Sequence, residues 1–164
     1  MATLEQLVEQ GVLRKHEADL EAWEMPERHL YLSDAFRLAA SFLYIAPKKR
    51  GRNVSPGDQV EQLFYDYVVG NPMTYSVHFR KLEPLTQHLW EFKTQDVRVF
   101  GWFARQRHFV ATFGELKDNL SREKQKVSTN VLYKPYIDHA KLTRDNLQLD
   151  APKMITGLSY ADVL

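Results

Sequence analysis

Apolar residues recur at helical spacing toward both ends of the chain and alternate with polar residues in its middle. Leu4, Leu7 and Val8 share one helical face, opened by the capping-box pair Thr3 and Gln6 and stopped by Gly11. A second helix is expected from Lys15 to Glu24, burying Leu20 and Trp23 and ended by Pro26. His29 to Leu32 reads as a short strand. Ser33 or Asp34 then caps a helix carrying Phe36, Ala39, Ala40 and Leu43, closed by Pro47. After the cationic loop 48–53, Ser55-Pro56-Gly57-Asp58 is a strong helix start, and Val60, Leu63, Phe64, Tyr67 and Val68 make an amphipathic stripe over 57–69.

The period changes at residue 88. Trp90 and Phe92 alternate with Glu91 and Lys93; Val97, Val99 and Gly101 alternate with Arg98, Phe100 and Trp102; Phe109, Ala111 and Phe113 form a third run. With turns at 94–96 and 105–107, this pattern predicts a three-stranded antiparallel meander over 88–94, 97–104 and 108–113. A last helix is expected from Tyr133 to Leu147 with Pro135 in its first turn, followed by a tail apolar enough to dock on the body.

Composition bounds the picture. The 164 residues are 44 % apolar and 26 % charged, enough for one core and read as a single domain over 1–164. No apolar run is long enough to span a membrane, and the N-terminus lacks the basic-then-apolar order of a signal peptide, so the cytoplasm is the expected compartment. The absence of cysteine excludes disulfides, thiolate nucleophiles and cysteine metal sites. The net charge of +1 is uneven: residues 1–28 carry −4 and residues 76–126 carry +4. The acidic segment either masks part of the basic one or extends the core with its apolar residues. A basic segment of this size suits nucleic acid or simply a solvated surface.

Several short motifs fall in a telling order. HLYLS would be a first strand, and DAFRLAASFLYI with SPGDQVEQLFYDYV a helical hairpin. FRKLEP, LWEFK, DVRVFGWF and FVATFGELKDN then match, one after another, a K-x-L approach, an LYELR-like strand, a YRVLY-like strand and a strand ending before a basic turn. In this order, residues 29–126 resemble the RelE/ParE toxin superfamily, including its HigB-like and phage-derived members. The resemblance implies an α+β, RelE-like fold: a small antiparallel sheet with a three-stranded meander packed against helices. Residues 1–28 would be an N-terminal helical extension and residues 127–164 a C-terminal helix and tail.

The ribonuclease members of that superfamily use no metal and no cofactor. They cut ribosome-bound mRNA by letting a 2′-hydroxyl attack the adjacent phosphate, which requires cations around the phosphorane and a group to move protons. By resemblance, Lys93, Arg98 and Lys117 hold the positions of the family's basic residues. The family tyrosine has no counterpart in NLSREKQ, and His108 is the candidate substitute as acid or base. The plainer readings are cross-strand ion pairs of Lys93 and Arg98 with Glu91 and Asp96, and an exposed turn histidine. His16, His29, His78, His88 and His139 have no partner at metal-ligand spacing, so no metal is assigned. The aromatic residues of the meander either stack on bases or fill the core. The loop Lys48-Lys49-Arg50-Gly51-Arg52 either clamps a phosphate backbone or is simply exposed.

Two functions follow as expectations. One is a RelE/HigB-like endoribonuclease toxin with ribosome, mRNA and an antitoxin as partners. The other is a non-catalytic RelE-fold binding protein of phage or mobile-element origin, acting through protein or nucleic-acid contacts.

Overall fold

The computed structural model describes residues 1–121, 128–157 and 159–164. Its centre is one six-stranded mixed sheet in an α+β arrangement. In chain order the strands are β1 (Leu13–Lys15), β2 (His29–Ser33), β3 (Phe79–Lys81), β4 (Trp90–Lys93), β5 (Val97–Arg105) and β6 (His108–Leu116). They lie in the order β1-β2-β6-β5-β4-β3, every pair antiparallel except β2 with β6. The meander expected from alternation is β4-β5-β6. The sheet is neither purely antiparallel nor as small as expected, because β1 and β3 add an edge on each side.

Helices cover both faces. α2 (Asp34–Ile45) and α3 (Pro56–Val68) start at the caps the sequence offers: the hydroxyls of Ser33 and Ser55 accept from the amides of Phe36 and Asp58, each at 3.2 Å. Both pack on the face formed by Leu30, Phe92, Val97, Val99, Phe103 and Phe109. The opposite face, with Tyr31, Phe100, Trp102 and Val110, receives α1 (Leu4–Glu9) and α4 (Thr129–Asn146). The tail docks as expected: Val163 is fully buried, and the carbonyl of Lys153 accepts from the Trp102 indole at 3.0 Å.

Three expectations are corrected. No helix forms over 15–24. Leu13–Lys15 pairs with β2 instead, and the His16 amide donates to the Leu30 carbonyl at 2.8 Å. The unpaired edge of β2 offers backbone partners that outweigh a weak local helical preference. Trp23, expected inside, is 78 % exposed. α4 begins earlier than Tyr133, because Ser128 caps it, so Pro135 lies within the helix beyond its first turn. Finally, Phe113 does not continue the face of Phe109 and Ala111. The register shifts between Phe100 and Gly101, and Thr112 is passed over, its hydroxyl donating to the Phe100 carbonyl at 3.0 Å. This β-bulge turns Phe113 and Glu115 toward α4.

The loop 48–53 is tied down at Asp96, whose side chain is 1 % exposed. Asp96 accepts from Gln59 at 2.7 Å and pairs with Arg52 at 3.3 Å and Lys49 at 3.5 Å, while Lys49 also reaches Asp118 at 2.7 Å. Two of the loop's cations are therefore engaged in holding structure. Burial works to raise the Asp96 pKa, and the Gln59 hydrogen bond with the charges of Lys49 and Arg52 outweighs it, leaving the group below its ordinary 3.8. A depressed carboxylate contributes stability that is present above its unfolded pKa and lost as pH falls through the folded one. Asp96→Asn is expected to cost about 1–3 kcal/mol at pH 7 and to flatten the acid limb of a Tm-against-pH curve below pH ~4. An unchanged acid limb would assign the acid sensitivity elsewhere.

Candidate functional site

Alternation places Glu91 and Lys93 of β4 on the face that carries Arg98 and Phe100 of β5. The registers Lys93–Arg98, Glu91–Phe100 and Arg98–Glu115 bring these residues side by side under α4. Arg80 joins them from β3, opposite Glu91. Arg98 is 7 % exposed, and its Nη1 donates to the carbonyls of Thr94 at 2.6 Å and Val97 at 2.8 Å. Lys93 donates from Nζ to the Ser76 carbonyl at 2.7 Å. Lys117 follows the end of β6 and is exposed. Burial lowers the Lys93 pKa, and the positive charges of Arg98, Arg80 and Lys117 lower it further against the pull of Glu91. The three cations assigned by resemblance thus act on one another, with Arg80 as a fourth.

The ion pairs foreseen for the two acids are not formed. Glu91 is fully buried and pairs with Arg80, not with Lys93 or Arg98, and Asp96 serves the 48–53 loop. Among the described residues the second carboxylate oxygen of Glu91, Oε2, is buried with no partner at hydrogen-bonding geometry. Tyr133 of α4 lies over this pair: its ring is 5.8 Å from the Arg80 guanidinium. Burial raises its hydroxyl pKa, with the nearby Glu91 charge adding and Arg98 and Arg80 opposing. Tyr136 stacks on Phe100 with ring centroids 5.0 Å apart and donates to Glu115 at 2.7 Å. α4 therefore supplies the cation cluster with a tyrosine that the segment 115–126 lacks. A buried carboxylate paired with one guanidinium, a second guanidinium on the same face, a tyrosine hydroxyl and a lysine of lowered pKa together can bind an anionic oxygen and exchange protons with it.

His108 is not part of this cluster. It opens β6 opposite Arg105, seven residues from Glu115, which along a strand is about 23 Å. Its ring packs 4.6 Å from His29 and 6.2 Å from Tyr31, whose hydroxyl donates to Glu5. Glu5 belongs to α1, so the acidic N-terminal segment is anchored at this end of the sheet, while α4 covers the cations. The His29 Nδ1 is buried with no hydrogen-bond partner among the described residues, and burial, then the neighbouring His108 and Lys15, hold its pKa below 6.5. A histidine with a lowered folded pKa takes up its proton more readily when unfolded, so stability falls as pH drops below the unfolded value. Tm is expected to decrease between pH 7.5 and 5.5, and His29→Phe should remove part of that slope, as read by calorimetry at both pH values.

Arg80, Glu91 and Tyr133 were missed in the sequence. The period-2 pattern does put Glu91 on the face of Lys93, but β3 is only three residues long, and no local pattern tells which face α4 will cover. The aromatic residues of the meander are core: Trp90, Phe92, Phe100, Trp102, Phe103 and Phe109 are at most 2 % exposed. Among the described residues no group of three acids or histidines is arranged to hold a metal, and no helix is long and apolar enough to cross a membrane. No family model, curated protein or solved structure matches the chain at a significant level.

Proposed function

We propose that this chain is a RelE/HigB-like toxin: a metal-independent endoribonuclease that acts in the cytoplasm on ribosome-bound mRNA and is neutralised by an antitoxin. The observation that carries this reading is the placement of Lys93 beside Arg98 on neighbouring strands, with Arg80 opposite Glu91 on the same face and Tyr133 over Arg80, and Lys117 following the end of β6. The order of strand, two helices and meander supports it as well. In this reading Arg98 and Lys93 bind the scissile phosphate and offset charge on the phosphorane, Lys117 adds a mobile charge, and Glu91 takes the 2′-hydroxyl proton as the 2′-oxygen bonds to phosphorus; the P–O5′ bond breaks, leaving a 2′,3′-cyclic phosphate, and the departing 5′-oxygen takes a proton from water. Tyr133, with its pKa raised, stays protonated and serves as a hydrogen-bond donor. His108 lies too far along β6 to share that step. A protein partner suits the exposed apolar stripe of α2, where Leu38, Phe42 and Ile45 are 71 %, 72 % and 80 % exposed.

The second reading, a non-catalytic binding protein of phage or mobile-element origin, is favoured by the burial of Arg98 beneath α4. Expression separates the two. The toxin reading expects growth arrest on induction and cleavage of ribosome-bound mRNA that persists in a metal chelator. Unimpaired growth with soluble protein confirmed would leave only the binding module.

A further inference from the structure

A groove of about 830 Å³ runs between the β3 edge and α4, and Arg80 and Tyr133, both members of the cation cluster, form part of its wall. From this continuity we infer that the groove is the track along which single-stranded RNA leaves the cluster. The inference rests on the ribonuclease reading and specifies where its substrate lies.

The lining has the three kinds of group a single strand requires. Among the lining residues Arg80, Lys81, Lys134 and Lys141 carry positive charge against two acids, Glu83 and Asp138; Arg80 is already paired with the buried Glu91, so the lysines supply the charge open to a ligand. Leu82, Pro84 and Ile137 provide an apolar floor for base faces, and the amides of Gln87 and Asn130 can meet base edges. Lys134 and Lys141 are two helical turns apart on α4, about 10 Å, so they face along the groove rather than at one point. Their side chains are 69 % and 46 % exposed, and their pairs with Asp138 and Asp145 are the exposed i,i+4 kind, readily exchanged for phosphate. Lys81 lies over the Trp90 ring at 5.5 Å, which fixes it at the groove's edge. The volume falls within the range of ligand clefts. A free anion would not use the apolar floor, and an acidic peptide would leave the amides without base edges.

The test uses the full chain and a fluorescent, 2′-O-methylated single-stranded oligoribonucleotide, which binds without being cut. Binding is measured across a salt series for wild type, for the double variant Lys134→Glu/Lys141→Glu, and for a control with the same charge change in the exposed loop, Lys48→Glu/Arg50→Glu. Circular dichroism checks that each is folded. The groove variant is expected to bind at least about tenfold more weakly, with a salt slope smaller by about 1.4, because two phosphate contacts no longer release counterions. The loop variant should keep the wild-type slope. Wild-type affinity and slope in the groove variant would overturn the track and leave the ribonuclease reading standing. Equal losses in both variants would reduce the effect to general charge and also overturn it. Failure of the wild type to bind the oligonucleotide, or preference for a polyglutamate peptide, would overturn both the track and the ribonuclease reading.

Discussion

If the chain is the proposed ribonuclease, Arg98→Gln is expected to lower cleavage of ribosome-bound mRNA by about 10²–10³-fold, the usual cost of removing one donor aimed at developing negative charge. In that reading arginine suits this position because its planar fork can meet two phosphate oxygens at once, and the carbonyls of Thr94 and Val97 already fix its orientation. Arg98→Lys keeps the charge and loses the fork, so its rate should fall between those of wild type and Arg98→Gln. Arg98 is also buried, and losing its hydrogen bonds leaves the Thr94 carbonyl short of a donor, while that of Val97 keeps the Thr94 amide at 3.0 Å, at a cost of about 1–3 kcal/mol. Measuring Tm beside single-turnover rates separates the two roles. A rate loss that tracks Tm and disappears at low temperature marks Arg98 as structural. Wild-type rates for a folded Arg98→Gln protein would remove it from the chemistry altogether.

The largest stability effect is expected at Gly101. A Cβ there would stand 2.1 Å from the Val110 carbonyl oxygen and 2.7 Å from Cζ of Phe109. The carbonyl is part of the β5–β6 ladder, beside the bulge, and cannot withdraw without breaking strand pairing. Gly101→Ala is therefore expected to cost at least the ~3 kcal/mol that marks the upper end of over-packing, or roughly 10 °C in Tm for a chain of this size. Gly114→Ala makes an instructive comparison. Its Cβ would meet the tip of Leu43 at 2.7 Å, and a side-chain tip can rotate away. Its cost should stay below about 1.5 kcal/mol. Thermal denaturation of both variants by circular dichroism checks the order. Similar Tm values would show that the bulge gives way more easily than a continuous ladder.

Much of this architecture was legible in the sequence, where local signals and burial agree. Ser33 and Ser55 cap their helices, Gly11 ends α1 in the left-handed region at φ 73°, and alternation from Trp90 to Ala111 marks the central strands. The same alternation placed Lys93 and Arg98 within reach of each other. Hydrophobic periodicity and caps are properties of neighbouring residues, so they can be read without knowing the rest of the fold.

The remainder depended on partners distant in sequence. Residues 15–24 have an acceptable helical pattern, yet Leu13–Lys15 and the His16 amide pair with β2 because its edge lies open beside them. The bulge at Thr112, set by the pairing of β6 with β5, decides that Phe113 and Glu115 face α4. His108 and Lys93 fall within one basic segment, but the length of β6 keeps them at opposite ends of the sheet. Above all, the site's composition was decided by α4: Tyr133 comes from more than thirty residues beyond Arg98 and meets Arg80 and Glu91 only because α4 crosses the face of the sheet. The sequence by itself determined which segments could be helix or strand and which face of each was apolar. Which charged groups came to share one buried pocket was determined by tertiary packing, because that is where desolvation and mutual charge act.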